Sequence, residues 1–326
     1  MTHPILSLGD TIDCVLVTQA DAMGAVAIDA LRAGGYRIVE VWVSGQDAPS
    51  TWRRRLRCLT SRRHRLAARI LAKSGAPVRA IPRPWTEALD RALAASPPFD
   101  ILVCAGSDII FPQAFLDRLA GRAVNLHPAL LPHYRGPLPL HALLIDGMAD
   151  RHGGMTLHIM TGAIDGGAII GQRRVTLTDH GTPHSWQRAV MQAMAPLLAD
   201  DLKAYLAGER EPVPQQPGAG SYHAARDVPL HAAPGQTVER IARYLAAAPG
   251  IQRHALAVIP GPHRPRRFVV TGGMRIIGPV TGEAPVVGLA RIEFDALDAR
   301  ISLRRLTRPV RLWRKLRRSL GSILRQ

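Results

Sequence analysis

Apolar residues fall along the chain in runs whose period changes. Cys14-Val15-Leu16-Val17 is a short continuous apolar run, and Tyr36 to Val43 and Val78 to Ile81 read as strands as well. Between the first two, Met23 to Leu31 carries a helical stretch that ends at Gly34-Gly35. Phe99 to Cys104 is almost continuously apolar, the mark of a strand buried on both faces. Strands alternating with helices predict an α/β fold: an open, mostly parallel, Rossmann-like sheet with helices on both faces. Ligands of such sheets bind at the carboxyl ends of the strands.

A further helix is expected from Thr182, a good N-cap, with Pro183 at its first position, through Trp186, Val190, Leu197 and Leu202 to Gly208. Glu211-Pro212-Val213-Pro214-Gln215-Gln216-Pro217-Gly218-Ala219-Gly220 then reads as a linker. Beyond it, one helix at about Thr237 to Ala247 precedes short β-rich runs at Ala255 to Ile259, Phe268 to Thr271, Arg275 to Ile277, and Val286 to Leu303 with a break. Short strands with turn signals predict a second, smaller β-rich domain, an OB-like barrel. The expected organisation is a first domain over 1–210, a linker over 211–226, the β-rich domain over 227–303 and a tail over 304–326.

Composition narrows the class. The 326 residues are 47% hydrophobic and 21% charged, which excludes a disordered chain. No apolar run approaches the roughly 18–20 residues of a membrane span. The first thirty residues hold Asp10, Asp13, Asp21 and Asp29 and no Lys or Arg, unlike a secretory signal. Cys14, Cys58 and Cys104 are too few and too scattered for a disulfide framework, so a reducing cytoplasm is the expected compartment.

The charge is uneven. Of a formal +17, the run from Arg53 to Lys73 contributes nine basic residues and the run from Arg300 to Gln326 ten, neither with an acid, and the rest is near neutral. Such stripes are the usual footprint of a polyanion or a membrane surface, with Arg-rich codon usage or solubility as the alternative reading. In the tail, Leu312, Leu316, Leu320 and Leu324 recur every four residues among Arg311, Arg314, Lys315, Arg317 and Arg318. This basic amphipathic helix suits anionic lipid, tRNA phosphates, or docking on the second domain.

Two stretches carry chemistry. In Asn125-Leu126-His127-Pro128, the amide and imidazole alternate with apolar residues and point to one side of a strand end. An amide N–H suits a developing oxyanion, and an imidazole shuttles protons near neutral pH. Further on, a strand over 155–160 runs into Thr161-Gly162-Ala163-Ile164-Asp165-Gly166-Gly167, whose carboxylate could pair with His127 and raise its basicity, or pass a proton through water. Thirteen histidines match no metal-ligand spacing, the loop after Val17 lacks a phosphate-binding glycine pattern, and no serine has a nucleophile-elbow context.

The motif Asn125-Leu126-His127-Pro128-x-Leu130-Leu131-Pro132-x-Tyr134-Arg135-Gly136, with Gly154-x-Thr156-x-His158-x-Met160 and Asp165-x-Gly167-x-Ile169, resembles the formyltransferases that use 10-formyltetrahydrofolate. The resemblance is close from Phe99 to Gly171 and weakens beyond the linker. It implies a catalytic set of Asn125, His127 and Asp165, with direct attack of an amine on the formyl carbon, Asn125 and a protonated His127 holding the oxyanion, and no metal. It also implies a folate pocket along Cys104, Ala105 and Gly106, along Leu130, Leu131 and Pro132, and along Thr161, Gly162 and Ile164. Family members formylate methionyl-tRNA, glycinamide ribonucleotide or amino sugars. The two basic runs favour methionyl-tRNA, with Arg53, Arg54, Arg55, Arg57 and Arg135 as acceptor-binding candidates. Against it, the loop after the first strand lacks a Phe-Ala-x-Pro-x-Leu stretch and the Asn-Leu-His-Pro form is nearer to enzymes of small amines, the second reading. A deformylase-like hydrolase and a non-catalytic folate- or RNA-binding relative are the remaining alternatives.

Overall fold

The computed structural model describes residues 11–44, 62–82, 85–94, 98–228, 230–251, 255–261 and 263–306. Arg53, Arg54, Arg55 and Arg57, and the tail beyond 306, lie outside the described residues. The chain divides into two compact units: one of residues 1–140, 149–181 and 185–225, the other of 141–148, 182–184 and 226–326.

The first unit is built on seven strands: β1 (Ile12–Thr18), β2 (Tyr36–Ser44), β3 (Val78–Ile81), β4 (Ile101–Ala105), β5 (Ala123–His127), β6 (Gly154–Ile159) and β7 (Ile169–Arg174). They lie in the order β3-β2-β1-β4-β5-β6-β7. The strands from β3 to β5 are parallel, whereas β6 and β7 add antiparallel. β1 has neighbours on both sides, and Cys14 to Thr18 are all buried, which is why it reads as an unbroken apolar run. Helix α1 (Ala22–Ala33) starts where the Asp21 carboxylate accepts from the N–H groups of Met23 and Gly24, and it buries Ala27, Ile28 and Leu31. Trp42, fully buried in β2, packs among Phe99, Phe111 and Phe115, with Trp85 5.0 Å from Phe115.

The long helix expected from Pro183 to Gly208 is interrupted. Helix α2 (Pro183–Gln192) is followed by a short turn over Met194–Pro196, a wider π-type turn over Leu197–Leu202, and a last α-turn at Lys203–Leu206. Pro196 has no N–H to continue the ladder. The π-turn buries Asp201, 1% exposed, whose carboxylate meets Arg173 of β7 and Arg210.

The second unit holds helix α3 (Val238–Ile251) and a separate antiparallel sheet of β8 (Ala255–Ile259), β9 (Arg266–Gly278), β10 (Val286–Val287), β11 (Arg291–Asp295) and β12 (Arg300–Arg305). The described pairs run β10-β11-β12-β9-β8, with β8 and β10 at the edges. The two runs expected at Phe268 to Thr271 and Arg275 to Ile277 are one strand, β9, which pairs with β8 over Arg266 to Val270 and with β12 over Val270 to Gly278, the register shifting where Gly272 and Gly273 pass Leu303 to Arg305. Tyr244, 1% exposed, accepts from the N–H of Leu256 through its hydroxyl at 2.8 Å and so ties α3 to β8.

Candidate active site

Strand register assembles the site. Cys104 of β4 stands opposite Asn125 of β5, which stands opposite His158 of β6, so three neighbouring strands present these side chains in one row. His127 pairs with Thr156 two residues on. Asp165 enters from the loop between β6 and β7 and meets the row at its centre. The Asn125 amide Nδ2 lies 3.1 Å from His158 Nε2 and donates to Asp165 Oδ1 at 3.3 Å. His127 Nδ1 is 3.5 Å from Asp165 Oδ2, and His158 Nε2 is 3.6 Å from Oδ1. The N–H of Gly136 donates to Oδ2 at 2.8 Å.

The two imidazoles are oriented by carbonyls. His127 Nε2 donates to the Tyr134 carbonyl at 2.9 Å and His158 Nδ1 to the Ile159 carbonyl at 2.9 Å. In each neutral ring the nitrogen facing Asp165 therefore carries no proton. His127 is 3% exposed, and burial pushes its pKa below the ordinary value, opposed by the Asp165 carboxylate. For Asp165, burial acts upward, but His127, His158 and the Gly136 N–H outweigh it and hold the carboxyl at about 2. One carboxylate thus faces two imidazole nitrogens at 3.5 and 3.6 Å, and its charge stabilises a proton that reaches either. Both N–H bonds of the Asn125 amide are spent inside the cluster, so an oxyanion must draw one of them away.

The backbone is held in costly conformations to achieve this. Tyr134 (φ 57°) and Asp165 (φ 51°) are left-handed without being glycine, at about 1–2 kcal/mol each. Gly167 permits the loop's return, since a Cβ there would lie 1.9 Å from the Ile159 carbonyl.

The structure gathers Asn125, His127 and Asp165. The residues expected along a folate pocket divide: Cys104 and Ala105 are buried inside β4, Leu130 and Leu131 are buried, Gly106 and Pro132 are partly exposed, and Thr161, Gly162 and Ile164 are exposed. Burial, followed by the nearby Asp165 carboxylate, pushes the Cys104 thiol up to about 12, so it stays protonated. The loop of Thr161 and Gly162 is tied back by Gln113, whose Oε1 accepts from the Gly162 N–H at 2.5 Å. Arg135 is partly exposed and its Nε is buried without a hydrogen-bond partner. His158 belongs to the same cluster, and the sequence signal for it is alternation in β6, which sets Thr156 and His158 on one face. Among the described residues no group of three or more His, Cys, Asp or Glu is arranged to hold a metal ion.

The chain is similar to known proteins in sequence and in fold. A family model described as formyl transferase matches residues 15–200. The methionyl-tRNA formyltransferase of Listeria monocytogenes serotype 4a is 36% identical over 118 residues, which is 36% of this chain and 37% of that protein. That of Streptococcus pneumoniae (strain Hungary19A-6) is 35% identical over 130 residues, 38% of this chain and 41% of the relative. The matched stretch thus spans well under two thirds of these relatives. Among solved structures, an N-formyltransferase from Helicobacter canadensis in complex with folinic acid and dTDP-3-aminofucose aligns over 91% of this chain and 100% of its own, with a TM-score of 0.57 and 13% identity. A sugar N-formyltransferase from a Shewanella species aligns over 80% and 97%, with a TM-score of 0.57 and 17% identity. At such identities the likeness is one of fold. The family model covers more than half of the chain, including every strand of the row that carries Cys104, Asn125 and His158 and the loop that carries Asp165, and on that ground the chain belongs to the formyl transferase family.

Proposed function

We propose that the chain transfers a formyl group from 10-formyltetrahydrofolate to the primary amine of an acceptor. The observation that carries this reading is the meeting of Asp165 with Asn125, His127 and His158 at the carboxyl end of β5. In this mechanism the acceptor amine attacks the formyl carbon, and one Asn125 N–H turns from the cluster to the oxygen that gains charge. The amine's proton moves, directly or through water, to an imidazole nitrogen facing Asp165, whose carboxylate stabilises the imidazolium. That proton returns to the folate nitrogen as the carbon–nitrogen bond to it breaks. The His127 ring is engaged on both sides, by Tyr134 and Asp165. It therefore serves here as proton holder more than as oxyanion donor. The exposed edge of Thr161, Gly162 and Ile164, with Pro132 and Gly106, forms the proposed wall for the folate ring.

For the acceptor, methionyl-tRNA is supported by the named relatives and by the basic runs over 53–73 and 300–326. The second reading, a small amine such as an amino sugar, rests on the near-neutral charge of the rest of the chain and on the Asn-Leu-His-Pro form of the motif. Both described cysteines, Cys14 and Cys104, are buried free thiols, which agrees with a reducing compartment, and the cytoplasm is the location proposed. Among the described residues no helix is long and apolar enough to cross a membrane.

The test is to follow tetrahydrofolate release from 10-formyltetrahydrofolate with initiator methionyl-tRNA and, separately, with pools of amino sugars and amino acids. Turnover on tRNA that falls steeply with salt supports the first acceptor. Turnover on a small amine and none on tRNA replaces it with the second. Release of formate with no acceptor dependence overturns transfer in favour of hydrolysis.

A further inference from the structure

The stretch 211–223, read from its prolines and glycines as a linker, is bound along the first unit. Val213 and Ile169 exchange both backbone hydrogen bonds at 2.8 Å, an antiparallel bridge onto the start of β7. Two residues later the side chain of Gln215 turns inward. Its Nε2 donates to the carbonyl of Asp165 at 2.8 Å and to the carbonyl of Gly167 at 2.7 Å. Further along, the Ser221 hydroxyl accepts from the N–H of Tyr134 at 2.9 Å, and the carbonyl of Ser221 accepts from the N–H of Arg135 at 2.9 Å. The His223 ring stacks on Tyr134, 4.5 Å between centroids at 5°. The approach needs Gly136 (φ +114°), where a Cβ would lie 2.3 Å from the His223 carbonyl.

These contacts converge on the site's two strained residues, Tyr134 and Asp165. Tyr134 offers its carbonyl to His127, and Asp165 offers its carboxylate to the whole cluster. Left-handed residues other than glycine persist only where the surroundings over-determine them. Within the loop itself a single turn bond, from the Gly166 N–H to the Ala163 carbonyl at 3.1 Å, spans Asp165; the two-pronged amide of Gln215 adds a donor on the carbonyls either side of Gly166. We infer that Gln215 is a positioning residue: with both amide hydrogens on the backbone of the 165–167 loop, it fixes where the Asp165 carboxylate stands against His127 and Gly136. The role rests on the proposed formyl transfer for its kinetic consequence but not for its structural one.

The test uses the full-length protein and the variants Gln215→Ala and Gln215→Glu. A carboxylate at 215 keeps the shape of the side chain but sets a negative charge against two carbonyl oxygens. Amide hydrogen exchange reads the structure without any assumption about activity. The Gly136 N–H, which is held by Asp165 Oδ2, is expected to exchange at least ~10-fold faster in both variants. Ile169 N–H, held by Val213, is expected to keep its wild-type rate, because the strap itself stays docked. Formyl transfer should fall ~10-fold or more in kcat, with KM for the folate within about threefold, and Gln215→Glu should recover toward lower pH as its carboxyl takes up a proton. Unchanged exchange at Gly136 overturns the positioning role whatever the enzyme acts on. So does equal acceleration at Gly136 and Ile169, which marks general loosening. Faster exchange at Gly136 alone, in a protein whose wild type shows no formyl transfer, keeps the positioning role and removes the function.

Discussion

At Asp165, burial and charge oppose each other, and charge wins. A carboxyl held at about 2 in the folded protein, against roughly 3.9 unfolded, contributes stability that is present above about pH 4 and is lost as pH falls toward 2. His141 acts in the same direction through a different cause: burial lowers it to about 4, so the unfolded chain takes up its proton first as pH falls. Its contribution is complete above about pH 6.5 and drains away between that value and pH 4. Denaturant midpoints measured from pH 8 to pH 2 should therefore decline in two stages, and His141→Gln should flatten the upper one. In the chemistry, Asn125→Ala removes the amide that reaches both His158 and Asp165. Turnover should drop by ~10² or more, the scale of a lost oxyanion donor, with the protein still folded. Asn125, His127 and Asp165 were legible in the sequence because their motifs are local and specific. The pairing of His158 with Asp165 was less so: alternation puts His158 on the right face, but only the β5–β6 register shows that it stands opposite Asn125. Gln215 was not legible at all, since it reaches Asp165 across 50 residues from a stretch whose composition reads as connector.

Elements set these side chains in place. β5 carries the chemistry on one face and Leu126, 1% exposed, on the other, so a single strand serves both core and site. Leu126→Ala should cost about 2–5 kcal/mol in a urea titration by the usual large-to-small scale. Gly167→Ala forces a methyl into the Ile159 carbonyl and should displace the loop that carries Asp165. It is expected to lower turnover ~10-fold or more while shifting the melting temperature by only a few degrees, because the loop lies outside the core strands. The α/β alternation and the parallel strands followed directly from apolar runs such as those of β1 and β4. The break in the helix after Gln192 did not: apolar spacing continues through Leu197 and Leu202, while Pro196 and the buried Asp201 decide the local geometry.

On the scale of the whole molecule, charge and chemistry occupy different parts of the chain. The +17 resides in two runs, whereas the cluster is built from one carboxylate, two imidazoles and an amide. If the acceptor is tRNA, neutralising Arg53, Arg54, Arg55 and Arg57 should reduce the slope of log kcat/KM against log salt by about 3 to 4, at ~0.9 or somewhat less per lost phosphate contact. A small-amine acceptor should leave that slope near zero in both proteins. Either outcome leaves the central claim standing, that the Asp165 cluster moves formyl groups. The most direct measurement is tetrahydrofolate release from 10-formyltetrahydrofolate by the wild type and by Asp165→Asn, with the acceptor that supports most turnover. The account predicts acceptor-dependent release that falls by ~10² or more in the variant while its fold is retained. Equal rates in the two proteins, or no acceptor-dependent release from the wild type, would contradict it.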